Sequence, residues 1–550
     1  MRTHEVTNQP PPLTGLDVLG ADVTLTEAVE RWVLPHDPQG AAALTDLGLL
    51  AGTEEAHSWG EQADRCTPVL RTHSAHGERV DEVDYHPAYH RLLEVAVGNG
   101  LTAEPWTRPT GSGAHARRAA GFLVWSQVEA GHLCPVSMTY AAVPALSAEP
   151  EVARRWLPAL ASRLYDPDPA PMAAKRGLTV GMGMTEKQGG SDVRANTTTA
   201  LAAPGGPLQG ETYRLTGHKW FCSAPMSDAF LVLAQTPAGL GCFLVPRVLE
   251  DGTRNDIRIQ RLKDKLGNRA NASSEIELQD TWAIRVGEEG RGVHTIIGMV
   301  SSTRLDCVVG SAATMRAALT RAVHHARHRS AFGALLLDQP LMRNVLADLA
   351  LESEAATLLA MRLAHAVDAG ENDLSRLGVA LGKFWVCKRT PPMVAEALEC
   401  LGGNGYVEEN GLARLYREAP LNSIWEGSGN VNALDVLRAL TREPSTLAAL
   451  GKELGLARGH DAALDDAIDQ CEQVGATALS PDAPWAARAI VERLAVTLQA
   501  ALLVQHSPGA VADAFIASRV RGEHGSTFGT LGASVGPAAT GILLERVMQA

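Results

Sequence analysis

Basic residues, aromatic rings, cysteine patterning and long apolar runs are all scarce in this 550-residue chain, and each shortage narrows the functions it can have. Lys and Arg number 49 against 62 Asp and Glu, a formal net charge of −13, so the whole molecule is not drawn to nucleic acid or to an anionic membrane. Any polyanion site has to be local. The eight cysteines, scattered from Cys66 to Cys471, include no CxxC pair and no metal-finger spacing, which fits reduced thiols better than a disulfide framework. No uncharged apolar stretch approaches about 18 residues. The first residues carry Arg2, His4 and Glu5 before the Pro10 to Pro12 run, without the apolar core of a secretion signal, so a cytoplasmic location is expected. With aromatics at 5% and Ala and Leu abundant, helix should dominate over sheet.

Such a length exceeds one hydrophobic core and predicts about three or four domains. Residues 1–177 read as a Pro-rich lead-in and a helical domain, with small and apolar residues at helical spacing from Phe122 to Leu146. From 178 to 288 the texture changes to short runs such as Tyr213 to Phe221, Phe230 to Gln235 and Cys242 to Val245, separated by Gly, Pro, Asn and Asp turns, which predicts a β domain. Long helices return over 289–441, where Leu341, Val345, Leu346 and Leu349 form the apolar stripe of a bundle. An extra helical domain is expected over 442–550, set off by Pro444 and interrupted from Ser480 to Pro484.

The stretch Tyr416 to Asn430, YREAPLNSIWEGSGN, is where chemistry is best sought. Glu426 follows the bulky pair Ile424 and Trp425, which should desolvate the carboxylate and strengthen it as a base. Gly427 and Gly429 permit a sharp turn. Val431, Leu434, Val436 and Leu437 then restart a helix with Ser428 or Asn430 available as N-cap, so backbone N–H groups converge beside the carboxylate. A base at an anion-friendly helix end suits proton abstraction alpha to a carbonyl; a surface Glu in an interhelical loop is the plainer alternative.

Four further motifs are spread over roughly 250 residues. In Met184 to Asp192, MTEKQGGSD, Gly189 and Gly190 let backbone approach a planar or phosphate-bearing ligand and Thr185 and Ser191 offer hydroxyls, though a glycine-rich turn is often only a turn. In Gly217 to Ser223, GHKWFCS, Trp220 either stacks on a ring or fills a β core. Arg329 to Gln339, RSAFGALLLDQ, offers an Arg suited to pyrophosphate, and Leu401 to Tyr406, LGGNGY, is another glycine-rich segment.

In this order the motifs resemble those of the acyl-CoA dehydrogenase family of flavoproteins. The resemblance implies a mainly α chain with a central β domain: an N-terminal α domain, a middle β-barrel and a C-terminal four-helix bundle, here followed by the extra helical domain. It implies FAD as cofactor, with Met182, Met184, Thr185, Gly190, Ser191, Trp220 and Ser223 on one side of it. Arg329, Phe332, Gln339, Gly402, Gly403 and Asn404 would reach it from a neighbouring subunit, and Trp425, Ser428 and Asn430 would complete the site. Glu426 falls at the position of the general base, which takes the alpha proton of an acyl-CoA thioester while the beta hydride leaves for flavin N5. Trp425 beside the base suggests a short or branched acyl group.

THEVTNQPPPL near the N-terminus, DYHPAYH from Asp84 to His90, QVEAGHLCP, RLKDKLGNRANAS and the C-terminal extension are similar to the AidB-like branch of that family, the bacterial alkylation-response flavoproteins. That branch implies a homotetramer with weak or vestigial dehydrogenase activity that binds double-stranded DNA through its last domain to protect it, with Arg438, Arg519 and Arg521 as phosphate contacts. Against this, the segment from Arg442 to Ala550 holds eight Lys and Arg and twelve Asp and Glu, a net −4 where counterion release needs clustered cations. Arg519 and Arg521 read equally as a pair on a solvated helix face. His324 and His328 stand four apart without a third ligand, so no metal is expected. Arg304 and Asp306 either line a substrate mouth or sit on the surface.

Overall fold

The computed structural model of the chain describes residues 3–203 and 211–547; residues 1–2, 204–210 and 548–550, which include the ends of the first and last expected domains, lie outside the described residues. It begins with helices α1 (Val23–Trp32), α2 (Pro38–Ala51) and α3 (Glu54–Arg65), the strands β1 (Val69–His73) and β2 (Arg79–Asp84), and helix α4 (Pro87–Gly98). Helices α5 (Ala114–Ser126), α6 (Leu133–Leu146) and α7 (Pro150–Leu160) follow. The strands β3 (Val180–Gly183), β4 (Thr199–Ala202), β5 (Thr212–Ser223), β6 (Ala229–Thr236), β7 (Gly239–Pro246), β8 (Ile257–Leu262) and β9 (Ser273–Val286) form one sheet. Then come the long helices α8 (Gly292–His328), α9 (Pro340–Asp368) and α10 (Asn372–Glu399), the short α11 (Leu412–Glu418), and α12 (Gly429–Arg442). The C-terminal region contains α13 (Pro444–Gly455), α14 (Ala462–Glu472), α15 (Val474–Ala478), α16 (Ala483–His506), α17 (Gly509–Phe515) and α18 (Gly536–Val547). The architecture is mainly helical around a central β region, as the sequence pattern predicts.

These elements assemble into two compact units that interleave along the chain. One comprises Met1–Glu54, Thr110–Val128 and Arg304–Ala550, the other Glu55–Pro109 and Glu129–Thr303. In the first unit, Leu346 to Leu363 of α9 and Leu377 to Cys387 of α10 are buried almost continuously, so these helices form its centre. Several charged side chains inside it are paired: Arg118 grips Asp306 through two bonds of 2.5 and 2.8 Å, and Arg362 grips Glu453 through two of 2.8 and 2.7 Å. Unpaired, such ions would pay the full cost of leaving water.

In the second unit the sheet runs β3-β6-β4-β5-β9-β7, and β6 also pairs with β7 along its length, closing five strands into a barrel with β8 added on β9. Alternating residues Tyr213, Leu215, Phe230, Val232, Phe243 and Val245 point into its core. Gly217 sits where an added Cβ would meet Thr198 Oγ1 at 2.5 Å and Thr198 Cα at 2.6 Å, so this motif glycine is needed for strand packing.

Two local expectations are corrected. Phe122 to Leu146 is not one helix: the Glu129 carboxylate accepts from the N–H groups of Gly131 at 2.6 Å and His132 at 2.8 Å, satisfying donors at the start of α6 and ending the continuity. The N-terminal region is not all helical, because β1 and β2 form a hairpin, stapled by Arg71 on Asp84, that sends Val83 into the barrel core.

Candidate active site

Glu426 belongs to the first unit, and its neighbourhood is built by the short turn Leu421–Ser423 after α11 and by the start of α12. The backbone at Glu426 is left-handed, with φ 57°, and Gly427 follows with φ 98°. A non-glycine residue in that region is strained and persists only where its surroundings hold it. Those surroundings are cationic. Arg304 Nε donates to the Glu426 carbonyl at 2.9 Å, Lys383 Nζ donates to the Gly427 carbonyl at 3.1 Å, and Asn432 Nδ2 donates to the same carbonyl at 2.6 Å. Arg304 is in turn fixed by Asp435 at 2.7 Å, which also takes Arg376 at 3.0 Å. Burial raises the Asp435 pKa, but Arg304 and Arg376 outweigh it and hold the carboxyl below its ordinary range. Arg304 and Asp306 are therefore not surface groups: one clamps the turn and the other is buried on Arg118.

Around this turn Trp425 is half-buried, its indole N–H donating to Asn422 Oδ1 at 2.9 Å. Ser428 is the N-cap residue of α12, although its side chain makes no capping bond, and the Asn430 side-chain oxygen accepts from Arg488 Nε at 2.8 Å. On the same unit, Arg329 donates to the Asn8 carbonyl at 2.6 Å, Gln339 to the Ala331 carbonyl at 3.1 Å, and Asn404 to Gln9 at 3.4 Å. Phe332, at φ 52°, is fully exposed at the tip of a small hairpin, and Gly402 and Gly403 are exposed.

The other motif residues lie in the second unit. Met182 is on β3, half-buried, with Met184 and Thr185 following it, and Gly190 and Ser191 exposed on the loop. The Trp220 N–H donates to the Thr185 carbonyl at 2.8 Å, tying the loop to β5, and Ser223 shares a hydroxyl bond of 3.1 Å with Ser273. Lys263 Nζ stands 3.3 Å from the centre of the Trp220 ring. What holds this loop is a pair that the sequence reading passed over. Lys219 Nζ meets Glu186 at 2.7 Å with both side chains fully buried. Glu186 also accepts from the Thr197 N–H at 2.7 Å, the Thr198 hydroxyl at 2.6 Å and Gln188 at 2.7 Å. Burial would raise the Glu186 pKa, yet the Lys219 bond and the Thr197 and Thr198 donors hold it far below the ordinary carboxyl value. Both residues sit inside the quoted motifs. A charged residue at the inward position between Gly217 and Cys222 was the available signal.

The three arginines expected on DNA are placed differently from that expectation. Arg519 is not on a solvated face: it is buried against Asp348 and against Glu352 at 3.2 Å. Arg521 is paired with Asp461, and Arg438 is exposed beside Asp435 at 3.6 Å. His324 Nε2 donates to the Pro11 carbonyl at 2.8 Å and His328 Nδ1 donates to the His324 carbonyl at 2.8 Å.

Comparison with known proteins agrees with this layout. Residues 8–167 match the adaptive response protein AidB N-terminal domain, 181–281 the acyl-CoA dehydrogenase middle domain and 290–441 the acyl-CoA dehydrogenase C-terminal domain. The AidB protein of Escherichia coli strain K12 is 47% identical over 477 residues, covering 86% of this chain and 87% of that one. The chain belongs to the acyl-CoA dehydrogenase family, in its AidB-like branch. Acyl-CoA dehydrogenase family member 11 of Caenorhabditis elegans is 32% identical over 83% of this chain and 76% of its own length. The crystal structure of Caenorhabditis elegans ACDH-11 in complex with C11-CoA superposes with a TM-score of 0.83 at 27% identity, over 100% of this chain and 94% of that one.

Proposed function

We propose that this family member is an FAD-dependent oxidoreductase acting on an acyl-CoA thioester, with Glu426 as the base that removes the alpha proton. The observation that carries the reading is the left-handed Glu426 turn held from three sides by Arg304, Lys383 and Asn432. A strained turn fixed in this way aims one carboxylate with little freedom, which is what a base needs in order to meet a carbon acid at a set distance. The backbone N–H of Glu426 and the first N–H groups of α12 add donors that favour developing negative charge on a thioester oxygen.

The residues present fit FAD. The hydroxyls of Thr185 and Ser191 make no hydrogen bond to a described residue, the Trp220 indole is half-buried rather than sunk in the barrel core, and Gly190 is exposed. In this reading Met182, Met184, Thr185, Gly190, Ser191, Trp220 and Ser223 are cofactor-binding residues of the second unit, and Trp425, Ser428 and Asn430 are cofactor-binding residues of the first. Arg329, Phe332, Gln339, Gly402, Gly403 and Asn404 serve a second copy in a homotetramer, for which the fully exposed Phe332 ring speaks. When bound, the flavin supplies the hydride acceptor. Glu186 and Lys219 keep the loop in shape and touch neither substrate nor cofactor. The four-part division at 177, 288 and 441 and a cytoplasmic location belong to the same proposal; no helix among the described residues is long and apolar enough to cross a membrane. A protective role on double-stranded DNA draws no support from Arg519 and Arg521, which are spent on carboxylates.

Trp425 favours short or branched acyl groups, whereas the ACDH-11 structure holds a C11 chain. Anaerobic titration of the purified protein with a panel from butyryl- and isovaleryl-CoA to C11-CoA tests both points. Bleaching of the flavin by at least one member is expected, strongest at the short end. A flavin that no member bleaches would refute the dehydrogenase reading.

A further inference from the structure

We propose that the second unit carries a binding site for a small aromatic monocarboxylate, with Arg247 as the group that receives the carboxylate. The site is a cavity of about 200 Å³ between α4, the loop after α7 and the turn joining β5 to β6. A void of roughly 150 Å³ holds one benzene ring and drug-sized ligands need about 300 Å³ or more, so this volume suits a single ring with a short polar head. One wall is flat: the rings of Tyr85 and Tyr89 stack with centroids 4.2 Å apart and planes 12° from parallel. Leu93 and Tyr165 extend the apolar lining, with the Tyr165 hydroxyl tied to His90 at 2.8 Å.

Four carboxylates line the cavity, and each has a close cationic partner, although two of them share one lysine. Asp228 and Asp166 share Lys175 at 3.1 and 3.4 Å, and Glu82 is paired with Arg254. Arg247 forms no ion pair with any described residue, and the hydrogen bond its guanidinium makes is to the Met226 thioether at 2.6 Å, a weak acceptor. Met226 itself lines the cavity, which puts the planar guanidinium at its edge. Burial pulls the Arg247 pKa down, against the opposing pull of the nearby Asp228 carboxylate, which makes no ion-pair contact with it. Beside it Ser227 is 3% exposed, and its hydroxyl has no hydrogen-bond partner. Buried polar groups are ordinarily satisfied, so an orphan hydroxyl next to an orphan guanidinium marks the place of an absent acceptor. A carboxylate satisfies both, taking two parallel bonds from the Arg and one from the Ser. Arg247 is the one Lys or Arg in a lining that also holds four carboxylates, which favours a monoanion over a doubly charged phosphate.

The inference does not depend on the flavin reading, since neither Glu426 nor any cofactor residue proposed above lines the cavity. Calorimetric titration of the full-length protein with phenylacetate tests it. Phenylacetate is expected to bind with a Kd below about 1 mM, and 2-phenylethanol, the same ring without the charge, about tenfold more weakly. Arg247→Met should weaken phenylacetate by at least about tenfold and Ser227→Ala by about threefold, with FAD content unchanged. Should Arg247→Met fail to fold, Arg247→Lys keeps the charge but loses the fork and should still weaken binding about fivefold. No binding of phenylacetate, equal affinity in Arg247→Lys and Ser227→Ala, or tighter binding of inorganic phosphate or of 2-phenylethanol would overturn the proposal.

Discussion

In the turn that carries Glu426, cationic side chains grip backbone carbonyls, whereas in the loop that carries Thr185 and Ser191 one buried carboxylate grips N–H and hydroxyl donors. Each arrangement matches the chemistry proposed beside it. Arg304 and Lys383 both donate to main-chain oxygens of the turn, and Arg304 is fixed in turn by Asp435. Glu186 and Lys219 neutralise each other in the barrel wall, while Gly190 and Ser191 on the same loop stay exposed. The groups proposed to act on ligands and the groups that fix their geometry are separate sets in both places, and only the first set is conspicuous in the sequence.

Breaking the second arrangement should have the largest effect. Lys219→Met leaves a buried carboxylate without its cation and is expected to cost about 3–5 kcal/mol of stability, read by denaturant unfolding, with loss of FAD content. The pH dependence follows from the direction of the Glu186 shift. A carboxyl whose folded pKa lies below its ordinary value of 4.5 contributes stability that is fully present above that value and lost as pH falls through the folded pKa. Acid unfolding monitored by circular dichroism should therefore be shallower below about pH 4.5 in Lys219→Met than in the wild type, because the unpaired carboxyl has less shift to give back.

Next in size is the contrast between two arginines that stand two positions apart in sequence. Arg519→Ala takes the cation from the buried Asp348, while Glu352 keeps Arg389, and should lower stability by about 3 kcal/mol, whereas Arg521→Ala, on a half-exposed pair with Asp461, should cost less than about 1 kcal/mol. Equal, small effects would return Arg519 to the solvent. The Glu426 turn sharpens the comparison from its other side. Arg304→Met should slow flavin reduction by about tenfold to a hundredfold while FAD content stays near that of the wild type, since it moves the base rather than removing it. Loss of the cofactor in that variant would show that the clamp is structural only.

Much of this was legible beforehand, and the physical reasons differ by region. The helix over Leu341 to Leu349 and the alternating Tyr213 to Phe221 run betray their elements because periodicity is local, although only Leu346 and Leu349 of that expected stripe are buried and Leu341 is 83% exposed. The Glu426 turn was legible because glycine and a bulky pair mark it. What stayed hidden was pairing at long range: Arg118 with Asp306, Lys219 with Glu186 and Arg519 with Asp348 lie 188, 33 and 171 residues apart, and nothing local announces them. The hairpin at β1 and β2 was missed for a different reason. Its polar residues dilute the alternation of Val80 and Val83, although Gly77 at φ 85° marks the turn.

The central claim is that one carboxylate, held in a strained turn, performs the proton abstraction. Single-turnover, anaerobic reduction of the protein's flavin by the best acyl-CoA of the panel, compared between wild type and Glu426→Gln at equal FAD content, tests it most directly. A rate lower by about 10²–10⁴-fold in the variant is predicted. Reduction at the wild-type rate in Glu426→Gln would contradict the account.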